Sequence, residues 1–139
     1  MTRHPTESWS DVVAFYRWLA TENAYFAPFR DAAELLAASP YAAGLHPRTS
    51  MQTLLLYQHE RAGPEDEELR LDFEQGAFVV RYRSGATPDP RFRLRETPGV
   101  WTKRGPDALA LLVRAFHHLR WFVEYHTPAA STPPRDPAV

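Results

Sequence analysis

The sequence predicts an α+β fold: two N-terminal helices, an antiparallel sheet of about four strands, and a long C-terminal helix packed on one sheet face. Three observations predict it. Leu69, Leu71 and Phe73 alternate with polar residues, Gln75-Gly76 intervenes, and Phe78, Val80 and Tyr82 resume the alternation. Period two on both sides of a Gly-containing break is the signature of a β-hairpin with one apolar face. Helical periodicity flanks this ribbon on either side, and a half-apolar hairpin needs such neighbours to cover it.

The first helix starts at Ser8, where Ser8-Trp9-Ser10-Asp11 has the form of a capping box. Trp9, Val12, Val13, Tyr16, Leu19 and Ala20 make its apolar stripe, which Phe15 and Trp18 widen. Pro28 breaks this helix and is able to open the next, expected over Asp31 to Ala38 with Ala32, Leu35 and Leu36 inward. Tyr41 to Leu45 adds a loose turn, and His46 to Thr49 reads as a loop. Met51 to His59 reads as an interior strand, because Leu54-Leu55-Leu56 puts apolar residues on both faces. Glu65 to Glu68 is an acidic loop leading into the hairpin.

Beyond the hairpin, Ser84 to Pro90 is a loop by composition. Arg91 to Glu96 alternates as a further strand, with Phe92 and Leu94 inward, and Val100-Trp101-Thr102 adds a short closing segment. A meander is the simplest strand order. Pro106 and Asp107 open the last and longest helix, expected through Tyr125, with Leu109, Leu112, Val113, Phe116, Leu119 and Val123 as its stripe. Residues 1 to 126 are read as one domain, and 127 to 139, with four prolines, as a flexible tail.

Composition narrows function mainly by exclusion. The chain has 139 residues and no cysteine, which removes disulfides, thiolate metal sites and thiol catalysis. No apolar run is long enough for a secretory signal or a membrane span, so a cytoplasmic protein is expected. Fifteen Arg stand against one Lys, a bias expected of a GC-rich, bacterial genome. Net charge is -1, divided as -5 over residues 1 to 68 and +4 over residues 69 to 139. Such a balance lacks the basic excess of a dedicated nucleic-acid binder. No glycine pattern of a nucleotide fold and no nucleophile-elbow serine occur, and the spacing of His117, His118 and His126 does not build a metal site. No cofactor is expected.

Two surfaces remain as candidates. Arg70, Arg81, Arg83, Arg93 and Arg95 share the outward parity of the sheet strands, with Asp72 and Glu74 among them. Planar guanidinium groups on a rigid sheet are suited to gripping carboxylates or phosphates. Trp121 and Tyr125 lie with Arg114 and His118 opposite the main stripe of the last helix, where either the N-terminal helices or a partner would meet them. The leading expectation is a non-enzymatic protein-binding module of immunity, chaperone or adaptor type, acting through the Arg face or the acidic loop and compatible with a homodimer. The alternatives are a nucleic-acid binder with Trp101 supplying stacking, and a small enzyme using His118 or His59 in a pocket between helices and sheet.

Overall fold

The structure, a computed structural model, describes residues 4–62, 66–83 and 100–122. It is α+β, with three α-helices and a five-stranded antiparallel sheet among those residues. Helix α1 spans Trp9–Glu22 and α2 spans Ala27–Ala37, with the 3-10 turn Ala24–Phe26 between them. Strand β1, His4–Pro5, pairs with β4, Arg61–Ala62, in a separate short ladder. The main sheet comprises β2 (His46–Ser50), β3 (Thr53–Tyr57), β5 (Glu68–Glu74), β6 (Ala77–Arg83) and β7 (Val100–Gly105). Helix α3, Ala108–Leu119, follows.

The strand order is β2-β3-β5-β6-β7, the expected meander. The hairpin forms as its pattern requires, with Leu71 opposite Val80 and Phe73 opposite Phe78. Gln75 and Gly76 both take positive φ, 53° and 77°, which matches the right-handed twist of the strands they join. Five strands stand where about four were expected: His46–Ser50 is a strand and not a loop, and the short closing segment is a six-residue strand, Val100–Gly105, beside β6. A proline cannot donate to a ladder, and Pro47 is tolerated because it lies on an edge strand, where only one side must pair. The other side of that edge is tied to the N-terminal segment, with Glu7 N–H donating to Pro47 O at 2.8 Å and Thr49 N–H donating to Glu7 Oε2 at 2.9 Å. Strand β3 is interior, and all of Leu54 to Tyr57 is buried. The expected Arg91 to Glu96 strand and the tail lie outside the described residues.

All three helices share one core with one sheet face, where Leu54, Leu56, Leu69, Leu71, Phe78, Val80 and Tyr82 meet Tyr16, Phe29, Leu36, Leu112 and Phe116. Ser8 caps α1 by accepting from Asp11 N–H at 3.0 Å, and Asp107 caps α3 by accepting from Ala110 N–H at 3.0 Å. Helix α2 starts at Ala27, four residues earlier than expected, with Pro28 in its first turn. Leu35, expected inward, is 57% exposed. Helix α3 stops at Leu119 and is shorter than α1, against the expectation of the longest helix ending at Tyr125.

That stop has a clear cause. Arg120 takes the left-handed conformation at φ 63°, Trp121 N–H donates to Phe116 O at 2.9 Å, and Arg120 N–H donates to His117 O at 3.3 Å. This is a Schellman closure with arginine in the position that glycine usually fills. The accompanying apolar contact is Trp121 stacked over Phe116, ring centroids 6.0 Å apart. Its driving force is burial of the indole, which no helical periodicity announces.

Candidate functional site

The outer face of the sheet, turned away from the helices, gathers most of the charged side chains singled out above. Strand register places them in rows. Arg48, Leu55, Arg70, Arg81 and Thr102 stand opposite one another across five strands. Glu68 opposes Arg83 in the next row, while Asp72, Val79 and Arg104 make the row on the other side. Alternation alone puts them together, because every second residue of a strand shares a face.

Glu68 is the buried centre of this arrangement, 4% exposed. Its carboxylate accepts from the Tyr57 hydroxyl at 2.6 Å and from Arg83 at 3.1 Å, and it forms an ion pair with Arg70, Nε to Oε1 3.1 Å. Three donors offset the cost of removing the charge from water. Burial, and then the hydrogen bond to Glu68, push the Tyr57 hydroxyl well above the usual phenol range. Arg81 is held by two carboxylates, Asp72 at 2.8 Å and Glu74 through contacts of 2.9 and 3.2 Å. Thr53 Oγ1 also donates to Asp72. The Arg81 hydrogen bond lowers the Glu74 carboxyl below its ordinary value, and that same bond raises the guanidinium of Arg81. Arg104 reaches across the hairpin turn to the carbonyl of Glu74 at 3.0 Å.

What this face offers a partner is charge and not grease. Leu55, Tyr57 and Val79 are at most 3% exposed, whereas the side chains of Arg70, Arg81 and Arg83 remain 46%, 38% and 42% exposed. The described positions carry five guanidinium groups, those of Arg48, Arg70, Arg81, Arg83 and Arg104, against the carboxylates of Glu68, Asp72 and Glu74. Arg93 and Arg95 lie outside the described residues.

Trp121 sits elsewhere. It is 1% exposed in the main core, and its indole N–H donates to Glu67 Oε1 at 3.1 Å. Glu67 also accepts from the hydroxyl of Tyr82 and from Gln58. Trp121 is therefore a core anchor and presents no surface, and Tyr125 lies outside the described residues. The acidic run is likewise not one solvated loop: Glu68 opens β5 and Glu67 ties Tyr82 to Trp121.

Sequence reasoning missed Glu68, Tyr57, Arg48 and Arg104 as members of the face. Extending the hairpin parity back by one residue would have found Glu68. Arg48 was hidden because its strand was read as a loop. Among the described residues no group of three or more His, Asp or Glu is placed to hold a metal ion, and no helix is long and apolar enough to cross a membrane. No family model matches the chain, and no curated protein or solved structure matches it significantly.

Proposed function

We propose that the chain is a non-enzymatic protein-binding module, of the immunity, chaperone or adaptor kind, whose outer sheet face docks on an acidic surface of another protein. One observation carries this reading: Arg70, Arg81 and Arg83 are anchored by Glu68, Asp72 and Glu74 on a five-stranded sheet while their side chains stay partly exposed. An arginine already held in one geometry loses little rotamer freedom when a partner carboxylate arrives, which reduces the cost of docking. The Arg81 guanidinium has five N–H donors and makes three hydrogen bonds, to Asp72 and Glu74. The interleaved acids weigh against nucleic acid as the partner, since phosphates would meet Glu74 and Asp72 together with the arginines.

The test is binding by purified components. Wild type and an Arg48→Ser/Arg70→Ser/Arg104→Ser variant, which leaves Arg81 and Arg83 with their carboxylates, are used to capture partners, and any captured protein is purified and titrated against both. The reading expects an acidic protein bound by wild type, weakened by salt and at least about tenfold weaker with the variant. Equal affinity for both, with the variant folded, removes the sheet face as the docking surface.

A further inference from the structure

We infer that the solvent side of α3, together with Leu35 of α2, is a two-fold interface with a second copy of this chain. This surface lies on the helical layer and is independent of the sheet-face reading. Leu35, Leu109, Ala110 and Val113 line an open, mainly apolar cleft bounded by Asp107 at the start of α3 and Arg114 two turns later. Leu35 is 57% exposed. Leu109 and Val113 are half-buried, while Asp107, Ala110 and Arg114 are exposed.

The spacing of these residues identifies the occupant. In a two-fold interface the same patch must complement itself. Asp107 and Arg114 are seven residues apart, about 10 Å along the helix axis, with Ala110 near their midpoint. When α3 lies antiparallel over its copy about an axis near Ala110, Asp107 meets Arg114 of the partner subunit, and the reciprocal pair forms on the other side. A parallel arrangement would set acid against acid and base against base. Ala110 has no side chain beyond Cβ, so the two helices approach closely at the axis, and their dipoles run in opposite directions. Leu35, Leu109 and Val113 supply the apolar contact beside the ion pairs. One helix pair and one added leucine cover less than the roughly 800 Å² per partner of a standard stable interface, so the dimer forms in a concentration-dependent way.

Sedimentation equilibrium of the full chain over a wide concentration range tests this. Wild type is expected to be a monomer–dimer mixture. Arg114→Asp turns both symmetric pairs into like-charge contacts and weakens dimerisation by about tenfold or more. Asp107→Arg does the same by the opposite sign. An equimolar mixture of the two variants has both pairs restored in the heterodimer, and it associates where neither variant does alone. Because Asp107 also caps α3, the fold of Asp107→Arg is checked by circular dichroism. If it does not fold, Ala110→Arg replaces it; that exposed substitution places bulk and like charge on the axis and abolishes the dimer. Wild type monomeric at every concentration, Arg114→Asp dimerising as wild type does, a mixture no stronger than its components, or an unaffected Ala110→Arg each overturns the inference.

Discussion

Glu68 is accommodated at 4% exposure because a phenol and two guanidinium groups converge on its carboxylate. Glu74 behaves differently, being half-exposed and held, among the described residues, by the side chain of Arg81. Its lowered carboxyl pKa makes a definite prediction for pH. A carboxylate whose folded pKa lies below its unfolded value adds stability above the unfolded pKa of about 4.3 and loses it as pH falls through the folded one. Wild type should therefore lose melting temperature between pH 6 and pH 3 more steeply than Glu74→Gln, which has no proton to take up. Thermal melts by circular dichroism at both pH values check this, and parallel slopes would dissociate Glu74 from the acid response. At this scale sequence found Arg81, Asp72 and Glu74 on one face, since parity needs no coordinates. Which carboxylate each arginine takes was not legible there, because it depends on which strands are neighbours and in what register.

At the scale of elements, the starts of α1 and α3 were legible and the end of α3 was not. Ser8 and Asp107 each place a side-chain oxygen on an orphan N–H within their own turn, so the signal is local. The end of α3 depends on Trp121, buried against Phe116 and donating to Glu67 more than fifty residues away. Arg120 accepts an unfavourable left-handed backbone to allow that burial. Arg120→Gly should consequently stabilise the chain by about 0.5 to 1 kcal/mol, measured as an upward shift of the urea midpoint at unchanged slope. A lower midpoint would mean that the arginine side chain contributes more than its backbone costs. Strand β2 gives the parallel lesson, since Pro47 forbids an interior strand while leaving an edge strand open, and only the neighbours of a segment decide which it is.

For the whole molecule, one core joins three helices to the inner face of the sheet. Leu71 sits fully buried at its middle, paired with Leu54 on one side and Val80 on the other. Leu71→Ala should cost about 2 to 5 kcal/mol through lost transfer energy and the cavity it leaves, read from chemical denaturation, and a cost below 1 kcal/mol would mean that helices and sheet close over the gap. The two proposed contact surfaces lie on opposite sides of this core. Charge reversal at Arg114 should thus leave partner capture by the sheet face intact, and serine at Arg48, Arg70 and Arg104 should leave self-association intact.

The amino-acid sequence by itself determined that this chain is α+β, where its first helix and central hairpin begin, and that Arg70, Arg81 and Arg83 share a face. Those features follow from periods of two and 3.6 residues and from caps a few residues long, all local quantities. Only the tertiary structure decided that Pro47 borders the sheet, that Trp121 ends a helix and not a surface, and that Glu68 is buried among donors. Each of these is settled by burial against residues distant in the chain, and burial energy belongs to the assembled pair of surfaces and not to either segment alone.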